Sequence, residues 1–161
     1  MISTQPFNIV LVEPEIPPNT GNIARLCAGT GTHLHLVGKL GFSLDDRYLK
    51  RAGLDYWPHV NLHRWDNLEQ LQQAHPQGRW WYTTKTAKKS YTQADFKADD
   101  FIVFGKETKG LPKELLRDNP DFCLRIPLSG TAVRSLNLST SAGIVLYEAL
   151  RQIGALDGEN I

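Results

Sequence analysis

No apolar run in this chain is longer than a β-strand, and these runs alternate with stretches whose apolar residues recur at helical spacing. That alternation predicts an α/β fold: a mainly parallel sheet flanked by helices. Strands are expected over 7–12, 33–37, 60–63, 80–83, 101–104 and 123–126. Runs this short exclude a membrane-spanning helix, and the first six residues have no charged start leading into an apolar stretch, so no secretory leader is expected. With 161 residues, 41% of them hydrophobic, the chain can bury the core of one domain spanning 1–161.

Punctuation residues place the helices. Asn19 or Thr20 is expected to cap a helix running to about Ala28, with Ile23, Leu26 and Cys27 on one face and Gly29 and Gly31 ending it. Asp66 with Glu69 makes a capping-box pattern for a helix through Leu68 and Leu71, stopped near Pro76 and Gly78. Pro112 suits the first position of a short helix. The last helix is expected to start between 136 and 139, to carry Ile144, Val145, Leu146, Tyr147 and Leu150, and to stop at Gly154.

In a parallel sheet the loops after the strands emerge at one edge, where such sheets bind ligands. Here those loops are 13–18, 38–41, 84–89, 105–110 and 127–134, and they collect the glycines, prolines and polar residues. Gly105 and Gly110 have the spacing of a phosphate loop, but Leu111-Pro112 stands where Lys and Ser or Thr are required, which disfavours a nucleotide triphosphatase. Gly29-Thr30-Gly31 lacks the third glycine of a dinucleotide fingerprint, position 34 being Leu34. Ser135, Ser139 and Ser141 have no nucleophile-elbow context. His33 and His35 share a strand face but have no third ligand at an evident spacing, so no metal is expected. Cys27 and Cys123 lie in separate apolar stretches and read as buried thiols of a reducing, cytoplasmic compartment.

The net charge of +1 gives no global signal for nucleic acid, so any such signal must be local. Three cationic groups stand out: Arg47, Lys50 and Arg51; Lys85, Lys88 and Lys89; and Lys106, Lys109 and Lys113. The last two follow strands, which favours their convergence on one edge.

Three segments then carry a resemblance over nearly the whole chain. They are Glu13-Pro14-Glu15-Ile16-Pro17-Pro18-Asn19-Thr20-Gly21-Asn22 with Arg25; Phe104-Gly105 with Glu107 and Gly110-Leu111-Pro112; and Arg125-Ile126-Pro127 with Arg134-Ser135-Leu136-Asn137-Leu138-Ser139. In this order they resemble the knotted SPOUT class of RNA methyltransferases. Arg51-Ala52-Gly53-Leu54-Asp55-Tyr56 and Thr83-Thr84-Lys85 resemble its short branch, which methylates the wobble ribose of tRNA. Lys106, Lys109, Val133 and Leu136 depart from that branch's usual proline, arginine, serine and methionine.

The resemblance implies a C-terminal deep trefoil knot, a homodimer with the first and last helices at its interface, and S-adenosyl-L-methionine as methyl donor. The reaction would be 2′-O-methylation of cytidine or a modified uridine at the wobble position, with leucine tRNAs as substrates. Methylation of another tRNA or rRNA position and a non-catalytic RNA-binding dimer are the alternatives. By the same resemblance the donor would lie against Tyr82, Thr83, Gly105, Glu107, Gly110, Ile126, Leu128, Ser135, Leu136 and Asn137. The tRNA would meet Asn19, Asn22, Arg25, Lys85, Arg134 and Tyr147, and catalysis would fall to Arg25, Ser135 and Asn137. A guanidinium does not deprotonate in a protein, so Arg25 is expected to orient a phosphate or the ribose, with a phosphate oxygen or Ser135 helping the proton leave.

Overall fold

Strands buried on both faces need apolar residues pointing both ways, and the central strands have them. Ile9, Leu11, Ile102 and Phe104 face one core, and Val10, Phe101 and Val103 face the other. The computed structural model describes residues 7–53 and 56–156. In chain order the elements are β1 (Asn8–Val12), α1 (Pro17–Thr30), β2 (His33–Val37), α2 (Arg47–Gly53), β3 (Asn61–Trp65), α3 (Leu68–Ala74), β4 (Trp80–Thr83), β5 (Lys89–Ser90), β6 (Phe101–Phe104), α4 (Lys113–Asp118), β7 (Cys123–Arg125) and α5 (Leu138–Gln152). The strands form one seven-stranded sheet in the order β3-β2-β1-β6-β4-β7-β5. Every pairing within it is parallel.

One core packs α1 and α5 on the sheet through Ile23, Ala24, Cys27, Ala142, Val145 and Leu146; the other gathers Leu71, Tyr82, Leu111 and Cys123. Both thiols are unpaired and buried, and burial pushes both upward in pKa. Among the described residues no helix is long and apolar enough to cross a membrane.

Several expectations shift by a residue or fail. The cap of α3 is Asn67, not Asp66: its side chain accepts from the Gln70 N–H at 2.7 Å, while the Gln70 side chain accepts from the Asp66 N–H at 2.8 Å. Pro112 stands just before α4 as its cap residue. The third strand starts one residue late and runs to Trp65. The sequence predicts no helix at α2, because among its described side chains Leu49 alone lies in the core and a single apolar side chain makes no stripe. The two-residue edge strand β5 is polar and leaves no alternation to read. Leu54 and Asp55 of the branch-like run, residues 1–6 and residues 157–161 lie outside the described residues.

Across one face of the sheet a polar chain ties β3, β2 and β1 together. The Trp65 indole can only donate, so His35 Nδ1 accepts its N–H at 3.0 Å, and the ring proton must sit on Nε2, which donates to Asn8 Oδ1 at 2.9 Å. Asn8 Nδ2 then donates to the Asp99 carbonyl at 3.0 Å. His33 and His35 do share a face, but both nitrogens of His35 are engaged. His33 Nδ1 instead lies 3.0 Å from His63 Nε2.

Burial, followed by the imidazoles of His63, His33 and His75, pushes His35 down to about 3 from an ordinary 6.5. Between those values the unfolded chain binds the extra proton and the folded chain does not. His35 stabilisation is therefore whole above about pH 6.5 and is lost as pH falls toward 3. Thermal melts from about pH 7 downward should show stability falling by up to about 1.4 kcal/mol per pH unit from this one proton. A His35→Gln variant, less stable at neutral pH, should show a flatter profile.

Candidate functional site at the carboxyl edge of the sheet

A helix leaves its first four N–H groups without intrahelical acceptors, and α1 disposes of them unusually. Its first two residues are Pro17 and Pro18, which have no N–H, and the Asn19 N–H donates to the Ile16 carbonyl at 3.1 Å. The remaining donor, the Ile16 N–H, meets the Glu107 carboxylate at 2.8 Å, and the Glu15 N–H meets its other oxygen at 2.8 Å. The cap of α1 thus comes from a loop some ninety residues away, with a negative charge at the positive end of the helix. This explains why the expected caps failed: Asn19 and Thr20 lie inside the helix and are buried.

Asn19 is left to bridge. Its Nδ2 donates to Glu107 at 3.1 Å, and its Oδ1 accepts from Asn137 Nδ2 at 3.0 Å. Asn137 is the cap of α5, its Oδ1 accepting from the Ser139 and Thr140 N–H groups and from the Ser139 hydroxyl. Three stretches far apart in sequence therefore meet in one relay, Glu107–Asn19–Asn137. A second crossing reinforces it: Glu15 accepts from Thr108 N–H at 3.0 Å and from its hydroxyl at 2.7 Å, which holds the Glu15 carboxyl below its usual range.

Strand order reverses between β1 and β6, where open α/β sheets usually leave a ligand crevice. Here the Glu15 and Glu107 crossings close it. The loops that follow β6, β4 and β7 carry most of the expected site. A Cβ on Gly105 would lie 2.1 Å from the Gly110 carbonyl carbon, so glycine lets the loop fold back on itself. Gly110 needs its own freedom for a left-handed φ of +68°. Lys106 bridges to Gly110 through the backbone and lies 3.7 Å from Glu13, so it belongs to the loop's framework.

The stretch from 127 to 136 is the opposite case. Among the described residues no protein group bonds its main chain, and Leu128 and Ser135 are exposed with Ile126 and Leu136 half-buried beside them. Free N–H and C=O groups flanked by apolar side chains suit an adenosine-like donor, and these residues fit S-adenosylmethionine. Other placements are less direct. The Tyr82 side chain is in the core with its hydroxyl accepting from Gln72, and the Thr83 hydroxyl donates to the Val103 carbonyl, so both polar groups are already engaged within the protein. Lys89 is held by the Asp121 carbonyl, which thins the cationic cluster, whereas Lys85, Lys109 and Arg134 are exposed. Asn22, Arg25 and Tyr147 are exposed on α1 and α5. Among the described residues no group of three or more His, Cys, Asp or Glu could hold a metal ion.

Glu15, Thr108 and Tyr56 were not singled out individually, although Glu15 and Tyr56 sit inside the runs quoted above. Their signal is spatial: Thr108 is 93 residues from its partner, and Tyr56 lies under the Arg25 guanidinium. Glu107→Ala should leave three donors without an acceptor and lower unfolding free energy by about 1–2 kcal/mol in urea titrations. It should also weaken S-adenosylhomocysteine binding in calorimetry, because the relay positions the start of α5. Stability and affinity equal to the parent's would show that the relay does not matter.

With this geometry in place, the comparisons with known proteins are consistent. Residues 6–147 match the model of the SpoU rRNA Methylase family. A Geobacillus stearothermophilus protein, provisionally named tRNA (cytidine(34)-2'-O)-methyltransferase, is 55% identical over 91% of this chain and 94% of its own. A solved structure concerned with the 2-OH methylation of C/U34 on tRNA superposes with a TM-score of 0.89 at 43% identity, covering 94% of this chain and 99% of that one. An AdoMet-bound rRNA methyltransferase from Sinorhizobium meliloti has a TM-score of 0.79 at 26% identity, over 95% of this chain and 59% of its own. The chain belongs to the SpoU methylase family.

Proposed function

We propose that this chain is a tRNA 2′-O-methyltransferase that uses S-adenosylmethionine to methylate the ribose of nucleotide 34, a cytidine or a modified uridine. Relatives of about half identity and a close structural neighbour concern this reaction. The observation in the chain itself that carries the reading is the Glu107–Asn19–Asn137 relay standing beside the unbonded main chain of 127–136. S-adenosylmethionine supplies a methyl group on a sulfonium.

The protein must hold donor and ribose in line and help remove one proton, which needs positioning more than acids or metals. Gly105, Glu107, Gly110, Ile126, Leu128, Ser135, Leu136 and Asn137 would form the donor's surroundings, with the main chain at Tyr82 and Thr83. Glu107 and Asn137 act by shaping the loops. Arg25 grips a phosphate or the ribose, while a phosphate oxygen or the exposed Ser135 helps the hydroxyl proton leave to solvent. Asn22, Lys85, Arg134 and Tyr147 would meet the tRNA, with leucine tRNAs as substrates.

The exposed Lys85, Lys109 and Arg134 make only a small face for tRNA. A homodimer is the reading that supplies more. Helices α1 and α5 pack side by side, and Ile16 and Tyr147 remain exposed near their starts and along them. The C-terminal segment would pass through a loop as a trefoil knot, and the enzyme would work in the cytoplasm with its tRNA.

Incubation with radiolabelled S-adenosylmethionine and unmodified tRNA, followed by nucleoside mapping, should place label on the ribose at position 34. Label on a base, or on no tRNA, would overturn the reading. Arg25→Ala should abolish transfer while leaving S-adenosylhomocysteine affinity within about twofold; equal loss of both would refute the separation of donor binding from Arg25.

A further inference from the structure

An exposed arginine ordinarily samples many rotamers, but Arg25 has a seat. Its guanidinium carbon lies 4.9 Å from the centroid of the Tyr56 ring. Tyr56 is half-buried where the chain turns from α2 toward β3, and both α2 and the turn Trp57–His59 pack on α1, so the ring is anchored to the helix that carries Arg25. Among the described residues no carboxylate pairs with Arg25 and no acceptor takes its N–H groups. Arg79 and Arg151, by contrast, are held by Asp100 and Glu148.

We infer that Tyr56 is a positioning residue for methyl transfer, holding the Arg25 guanidinium over its ring so that its N–H donors stay available to the RNA. The inference rests on the reading of Arg25 given above. An aromatic face attracts a cation through its ring quadrupole and accepts no in-plane hydrogen bond, so it orients the group and leaves its donors available. A carboxylate in the same place would fix Arg25 as firmly but would neutralise it and compete with the RNA phosphate. The seat also explains why the segment between β2 and β3 matters to a site it does not line: it delivers the ring.

The test compares Tyr56→Phe, Tyr56→Leu and Tyr56→Gln with Arg25→Ala, measuring single-turnover transfer to tRNA and S-adenosylhomocysteine affinity. Phe keeps the face and should transfer within about twofold of the parent; Leu and Gln lose it and should fall roughly tenfold or more, with donor affinity unchanged. In an Arg25→Lys background, which lacks the planar fork, removal of the ring should change transfer far less. Gln suits a half-exposed position and decides the matter if Leu does not fold.

Normal transfer by Leu and Gln beside a dead Arg25→Ala would overturn the role of Tyr56 and leave Arg25 standing. Normal transfer by Arg25→Ala would overturn both. Loss by Phe equal to that of Leu would assign the effect to the hydroxyl, and parallel loss of donor affinity or failure of both variants to fold would make Tyr56 merely structural. Each of these outcomes overturns the inference.

Discussion

The arrangement of the carboxyl edge depends on one carboxylate. Glu107 meets the Glu15 and Ile16 N–H groups and the Asn19 amide at once, and in doing so it supplies the cap that α1 cannot make from its own sequence. A helix beginning with two prolines has few donors to satisfy, but it still needs an acceptor at the residue before them. Because that acceptor comes from the loop after β6, the start of α1 cannot form correctly until β6 lies beside β1. Local structure and long-range topology are in this way the same contact.

From that contact the rest follows in order. Asn19, released from capping, reaches Asn137, and Asn137 starts α5. The first and last helices are then fixed relative to the loop between β6 and α4, and the chain from 127 to 136 spans a gap whose two ends are anchored. It is free to stay irregular because its ends are not. Gly105 contributes by letting its loop fold tightly back onto Gly110 and Leu111.

The sequence made the sheet legible because parallel strands with two buried faces are apolar throughout, as Ile9, Val10 and Leu11 illustrate. It made Gly31 legible as the end of α1, where a left-handed residue closes the helix. Asn19 and Thr20 misled because a polar residue before an apolar stripe looks the same whether it caps the helix or is buried within it. Helix α2 offered one core residue and hence no period. The proposed site residues rest on resemblance, since a site of the proposed kind, made largely of backbone, carries no cluster of acids or histidines to notice. Their connections lay beyond any local pattern: Glu107 and Asn19 are 88 residues apart, and Asn19 and Asn137 are 118 apart.

The irregular stretch from 127 to 136 presents peptide groups, and every residue other than proline offers the same two. On the proposed reading of donor binding, exchange of one apolar side chain for another there leaves those groups in place, and Val133 and Leu136 do depart from the usual branch pattern. Apart from Arg134 and Ser135, whose side chains have roles of their own in the proposed reaction, a survey that exchanges side chains for alanine would rank these positions as dispensable. Only changes that act on torsion or delete an amide hydrogen, above all the introduction of proline, would reveal what the stretch contributes.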